Sequence, residues 1–373
     1  MGQIKKIIKN IIPNSAQKKL RIINSKYSKV KLNKTFDPII SELKSTKNQK
    51  RIILIGTAIY GNIGDHAISI AGTKFIKKEF PNVNLIEIPI SLYEYKSDII
   101  NRNINQHDLI IINGGGYLGT LWETGQEISN SIIINNPNNR IIIFPQTMYY
   151  KEDSENLIKE HKKIIADHPN VSLIVRDKKS YDFVSEKEFE FKKVILTPDI
   201  VTYIDGNKYK NNKNKIIFVL RKDHEKVDYK KDIEELKSHF IELGYEEDDF
   251  EYTDSVVEGY YNLYNRDALV EEYLKMIGQA SFVISDRLHG MILAAICGIP
   301  VIALDNVSNK VYGAYEWFSS FDYVLYFKDK NIYQKIDEIN ESKSSYNYDS
   351  SKFANKHQEI KKLVELEYND LKI

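Results

Sequence analysis

From Arg51 onward the chain alternates short β-branched runs with stretches of helical periodicity, and this alternation limits the fold more than any other feature. The strands it predicts are Ile52–Gly56, Asn84–Ile88, Leu109–Asn113, Ile141–Phe144, Ser172–Val175 and Val194–Leu196, with helices over Asp65–Phe80, Glu123–Asn135, Ser154–His168 and Lys178–Glu186 between them. A strand that is apolar throughout is buried on both faces, which happens when helices cover both sides of a parallel sheet. A second series follows, with strand Ile216–Leu220, helix Asp228–Leu243, strand Phe282–Ser285, helix Leu288–Cys297 and strand Val301–Leu304. The expectation is an α/β protein of two Rossmann-like, doubly wound domains facing a cleft, with ligands outside the carboxyl ends of the strands.

The domains are expected at 46–204 and 216–340, joined by the Asn- and Lys-rich stretch 205–215, which has no apolar periodicity and reads as a linker. The acidic run Glu246–Glu251 reads as a solvated loop. Residues 350–373 carry Phe353, Ile360, Leu363 and Val364 at helical spacing and read as a closing helix.

A length of 373 residues, 42% of them hydrophobic and 28% charged, suits two soluble domains with sizeable cores. One cysteine, Cys297, permits neither an internal disulfide nor a Cys-based zinc cluster, and it falls on the buried face of its helix. No apolar run is long enough to span a membrane, and the start MGQIKKIIKNIIP lacks the continuous core of a signal peptide. A cytoplasmic location is therefore expected.

The net charge of +1 conceals an asymmetry: residues 1–34 hold ten Lys or Arg and no acid, while the remainder has 43 basic against 52 acidic residues. Within a basic arm over 1–45, Ile4, Ile7, Ile8 and Ile11 fall at i, i+3, i+4 and i+7 with lysines between them. Such a helix fits either the surface of an anionic membrane, as a peripheral contact through residues 1–34, or a seat on its own domain. Nucleic acid is not expected as a partner, because the arm lacks interleaved aromatics and Arg-rich character.

Four segments carry chemistry. The first strand ends in GTAIYGNIGDH (56–66), where the glycines allow close backbone approach, Asn62 and Asp65 can cap a helix, and His66 follows. The strand LIII runs into Asn113, then Gly114, Gly115, Gly116 and Tyr117, with Trp122 beyond, which offers room and ring faces for a sugar. Arg is scarce, 8 against 45 Lys, yet Arg176 and Arg221 each follow a strand, where a guanidinium can fork onto a carboxylate or phosphate. The stretch SFVISDRLHGMILAAICGIPVIALDN (281–306) delivers Asp286, Arg287, Leu288, His289 and Gly290 to the mouth of a helix. It thus joins a guanidinium, an imidazole and free backbone N–H groups at one anion-attracting end. Neither a dinucleotide fingerprint nor a Walker A loop is present, and no metal is implied, since Asp-x-Asp and H-E-x-x-H are absent.

The segments GNIGDHAI, NGGGYLG, FPQT, VRDKKSY, TPDIV and SDRLHGMILAAICGIPVIALD occur in the order seen in polysaccharide pyruvyl transferases, and the chain resembles that family over residues 50–310. The GNIGDHAI form is similar to members from bacterial exopolysaccharide and capsule clusters. The resemblance implies a fold like that of GT-B glycosyltransferases, with phosphoenolpyruvate as co-substrate and no further cofactor. Arg287 and His289 match the family's donor-binding Arg and catalytic His, Arg176 matches a second donor Arg, and Arg221 has a looser match. It further implies a donor site of Arg221, Arg287, Leu288, His289 and Gly290 on the second domain, together with Arg176 of the first. The acceptor side, on the first, would hold Asn62, Asp65, His66, Gly114, Gly115, Gly116, Tyr117 and Trp122. His289, Arg287 and Asp65 are then the catalytic candidates, with Asp286 an alternative to Asp65 as hydroxyl base. The acceptor would be a lipid-linked or nucleotide-linked saccharide. Alternatives are a GT-B glycosyltransferase using a nucleotide sugar and a non-catalytic scaffold of a polysaccharide assembly complex. A nicotinamide oxidoreductase is the weakest option.

Overall fold

The structure is a computed structural model that describes residues 36–371 except 212, 224, 226, 258, 260, 343 and 344. The basic stretch 1–34 lies outside the described residues. Among those that are described, no helix is long and apolar enough to cross a membrane.

Two parallel sheets form the framework. In the first, β1 (Arg51–Thr57), β2 (Asn84–Pro89), β3 (Leu109–Ile112), β4 (Gly115–Gly119), β5 (Arg140–Tyr149), β6 (Val171–Val175) and β7 (Lys193–Leu196) run in the order β2-β1-β3-β5-β6-β7, and β4 extends the line of β3 along β5. In the second, β8 (Lys215–Val219), β9 (Phe250–Thr253), β10 (Ala280–Ser285), β11 (Val301–Ala303) and β12 (Val324–Tyr326) run in the order β12-β11-β10-β8-β9. Strand order reverses between β1 and β3 and again between β8 and β10. At such switch points the connections leave on opposite faces and open a crevice at the carboxyl ends.

The helices are α1 (Ile63–Glu79), α2 (Ile90–Asn103), α3 (Glu123–Asn135), α4 (Glu155–Ala166), α5 (Lys178–Glu186), α6 (Lys230–Glu242), α7 (Arg266–Ile277), α8 (Leu288–Ile296), α9 (Lys310–Phe318), α10 (Ile332–Ser342) and α11 (Ala354–Asn369). One apolar cluster runs from Ile52 and Leu54 through Phe75 of α1 to Leu274 of α7 and Met291 of α8, so the inner faces of the two domains share a core. Cys297 lies in that cluster, where burial pushes its thiol up to about 12. Beside it, Arg266 of α7 forks onto Glu87 of β2, with Nη2 2.9 Å from Oε2. The two sheets are thereby held with their carboxyl edges face to face.

Two readings of the sequence change, and the expected closing helix is found. The stretch 205–215 is not a free spacer: Gly206, Asn211 and Lys213 donate backbone N–H groups to Ile296, Gly278 and Gln279, and Lys215 already belongs to β8. Side chains dock as well: Asn207 pairs with the backbone of Tyr348, and Lys210 donates to the carbonyls of Gly298 and Tyr346. The acidic run ends in β9, an edge strand that pairs with β8 through Phe250 and Glu251. The closing helix α11 returns to the first domain, where buried Glu367 accepts from Arg140 at 2.6 Å, Lys192 at 2.7 Å and Ser172 at 3.3 Å.

Candidate active site

A cleft of about 920 Å³ opens between the two carboxyl edges. The first domain contributes the turn after β1, the start of α1, the segment from Gly116 to Gly125 and Arg176. The second contributes Arg221 after β8, Ser255–Val257 after β9, Arg287–His289 after β10, and Lys310. Two switch points thus face one volume.

The start of α1 is built for close approach. Asn62 caps it, its side-chain oxygen accepting from the N–H groups of Gly64 at 3.0 Å and Asp65 at 3.4 Å. A Cβ at Gly64 would stand 2.2 Å from Nδ1 of His289, so only glycine lets this turn lie against that ring. Asp65 lines the cleft and accepts from the Tyr60 hydroxyl at 3.0 Å.

Behind His289 stands Asp199, which the sequence reading quoted within TPDIV without assigning it a role. Its Oδ2 lies 3.3 Å from Nε2 of His289 and 2.5 Å from Nη1 of Arg176. Burial would raise this carboxyl, but the Arg176 charge and the bond from His289 outweigh it and hold the group well below the usual range. One buried carboxylate therefore orients a guanidinium and an imidazole together. Arg176 is further fixed by its Nε bond to Thr147 at 2.9 Å. A Cβ on Gly116 would come within 2.8 Å of its Nη2, which explains that glycine.

Arg287 forks onto Asp254, Nε to Oδ1 at 2.8 Å and Nη2 to Oδ2 at 2.9 Å, while its Nη1 meets Asp223 at 2.6 Å. Arg221 meets the same Asp223 through Nε at 2.9 Å and Glu225 through Nη2 at 3.0 Å. Lys310 completes the group with Nζ 2.7 Å from Glu225. The expected cations are present, and each is held by a carboxylate the sequence reading did not single out.

Of the expected residues, the structure brings Asn62, Asp65, Gly116, Tyr117, Trp122, Arg176, Arg221, Arg287, Leu288 and His289 to the cleft. Four others do not line it. His66 sits on the inner side of α1, fully buried and edge-on to Tyr261 at 5.5 Å, and burial pulls its imidazole down. Gly114 packs against Pro145 and Ile68, Gly115 opens β4, and Gly290 lets α8 start close over Ser285. Asp286 is also inside: its Oδ1 accepts from the backbone N–H of Arg221 at 2.8 Å, and burial pushes its carboxyl up to about 6. That leaves Asp65 as the carboxylate of the pair that faces the cleft.

Two Rossmann-like domains with an Arg- and His-lined cleft at paired switch points define a two-domain α/β enzyme with a polar cleft between its halves. The chain belongs to the polysaccharide pyruvyl transferase family, whose family model matches residues 62–309. It is similar to general stress protein 30 of Bacillus subtilis, 30% identical over 313 residues that cover 83% of this chain and 90% of that protein. It is also similar to pyruvyl transferase 1 of Schizosaccharomyces pombe, 29% identical with 69% of this chain and 66% of that protein covered. Among solved structures, a functionally uncharacterized protein of Klebsiella pneumoniae shares the fold with a TM-score of 0.51 at 21% identity, covering 78% of this chain and 98% of that one.

Proposed function

We propose that this enzyme uses phosphoenolpyruvate to place a pyruvate ketal on a saccharide diol during exopolysaccharide or capsule synthesis. The observation that carries the reading is the bridge by which Asp199 joins Arg176 to His289 beside Arg287. Such a bridge fixes an imidazole next to two guanidinium groups, the combination that can pass a proton to an enol phosphate while holding its negative charges.

In the proposed reaction His289 gives a proton to the methylene carbon of the donor while a sugar hydroxyl, losing its proton to Asp65, bonds to the adjacent carbon. The bond from that carbon to the phosphate oxygen then breaks with its electron pair, and the phosphate leaves as hydrogen phosphate with the proton that Asp65 had taken up. The oxocarbenium-like centre is captured by the second hydroxyl, whose proton returns to His289, and the ketal ring closes. Arg176 and Arg287 stabilise the donor's negative charges throughout, and Tyr60 and Trp122, each with an exposed ring face, suit the acceptor sugar.

Titration calorimetry with phosphoenolpyruvate and a panel of nucleotide sugars, on the wild type and Arg287→Ala, tests this. Saturable phosphoenolpyruvate binding that the substitution weakens at least tenfold is expected. Binding of a nucleotide sugar alone would replace this reading by a glycosyltransferase. The acceptor is a lipid- or nucleotide-linked saccharide in this proposal, and the basic stretch 1–34 would hold the enzyme at an anionic membrane. Loss of sedimentation with anionic vesicles on removing 1–34 is the expected outcome.

A further inference from the structure

The polar cluster on the second-domain side of the cleft is unevenly satisfied. Glu225, 1% exposed, is saturated: Oε1 accepts from Arg221 and Lys310, and Oε2 accepts from Lys310 and Ser308. Arg221 is 3% exposed and lines the cleft, yet its Nη1 has no hydrogen-bond partner among the described residues. A buried guanidinium with an unused arm is costly, because its N–H groups have left water without a replacement. Burial lowers the Lys310 ammonium despite its pairing with Glu225, and the nearby charges of Arg221 and Arg176 pull it the same way. The three cations Arg221, Arg287 and Lys310 are matched by three carboxylates, Glu225, Asp223 and Asp254, which differ in how deeply they are buried.

Asp223 is the remaining partner, and it differs from the others. Its side chain is 26% exposed, against 11% for Asp254, 2% for Asp199 and 1% for Glu225. It stands between Arg221 and Arg287, touching both. An incoming anion could displace this carboxylate at the least desolvation cost and would find two guanidiniums and the Lys310 ammonium around it.

We propose that Arg221, Arg287 and Lys310 form a phosphate subsite in which the Asp223 carboxylate stands until a phosphate displaces it. The inference rests on the donor reading above only for the source of the phosphate, the enol phosphate on arrival and inorganic phosphate on departure. Lys310 and Glu225 become positioning and binding residues, and Asp223 an internal competitor. A phosphate carries more charge and more acceptor oxygens than the carboxylate it replaces, which can also satisfy the idle Nη1 of Arg221.

Inorganic phosphate is the probe, titrated calorimetrically into the full chain. Removing the competitor by Asp223→Asn is expected to tighten phosphate at least threefold. Removing the cation by Lys310→Met with Glu225→Gln, which leaves no orphaned buried charge, is expected to weaken it at least tenfold with the circular dichroism spectrum unchanged. Unchanged phosphate affinity in both variants, or no phosphate binding by the wild type, would overturn the subsite. A wild type that binds phosphate in this pattern but ignores phosphoenolpyruvate would sink the donor reading and leave the subsite standing. The reverse, phosphoenolpyruvate binding indifferent to both variants, would sink the subsite alone.

Discussion

Gly64 lies so close to His289 that a single methyl group on its α-carbon would stand 2.2 Å from Nδ1 of the ring. The contact joins the first turn of α1 to the first turn of α8, one from each domain, at the mouth of the cleft. The turn thereby fixes one side of the imidazole while Asp199 fixes the other.

Gly64→Ala should therefore lower both activity and stability. Ala favours a helix over Gly by about 1 kcal/mol, but the new methyl would also stand 2.7 Å from Cβ of His289, which ring rotation cannot move, so the two first turns must part and the melting temperature should fall. The ring then moves with its turn away from Asp199. A fall in kcat of about 100-fold is expected, since a misplacement on the order of 1 Å suffices for that. Steady-state kinetics with a thermal melt checks it, and an active, stable variant would contradict the ring's proposed role.

Asp199→Asn keeps the shape and removes the charge. Arg176, 4% exposed, would lose its carboxylate, at a cost of about 3 kcal/mol. His289 would lose the carboxylate that holds its Nε2 in place, and kcat should fall roughly 100-fold or more. The pH dependence has a definite sign. The folded carboxyl is held well below the usual range by Arg176 and His289 against the burial that would raise it. Its stabilisation is then present above the unfolded value of about 3.9 and disappears only as pH falls through the lower folded one. Urea unfolding of the two proteins should show a constant gap from pH 8 to pH 5, narrowing only in stronger acid.

The strands that line the cleft were legible because they are apolar on both faces: β1 and β10 are found within a residue or two of where the sequence puts them. Edge strand β9 was not, since Glu251 and Tyr252 face solvent there and the run before it is acidic. Strand β4 hides in glycines that read as a turn. The same division holds in the site. Arg176, Arg221 and Arg287 stand out because Arg is scarce, whereas their partners are drawn from 52 acids. Asp199 meets a histidine 90 residues away, a pairing decided by tertiary structure alone. His66 was misjudged for a simpler reason: next to Asp65 in sequence, it sits a third of a turn round α1 and faces inward.

Glu367 ties the last helix to the first domain. Fully buried, it accepts from Arg140, Lys192 and Ser172, and its loss would leave those donors without their shared acceptor. Glu367→Ala is expected to destabilise the protein by about 3 kcal/mol in chemical denaturation. Activity well below the melting temperature should remain close to that of the wild type, because α11 contributes nothing to the cleft lining. A large loss of activity without loss of stability would mean that α11 sets the domain arrangement.

Asp286 gives the opposite pH dependence to Asp199. Burial pushes its carboxyl up to about 6, against the bond from Arg221 N–H that would lower it. A folded value above the unfolded one means that the folded state takes up the proton first as pH falls. At pH 8 the buried carboxylate costs stability, and the cost is relieved between about pH 6 and pH 4, by roughly 2–3 kcal/mol in total. Asp286→Asn keeps an oxygen to accept from Arg221 but cannot ionise. Its stability relative to wild type should therefore be greatest at pH 8 and decline toward pH 5, and two parallel curves of unfolding free energy against pH would rule this out.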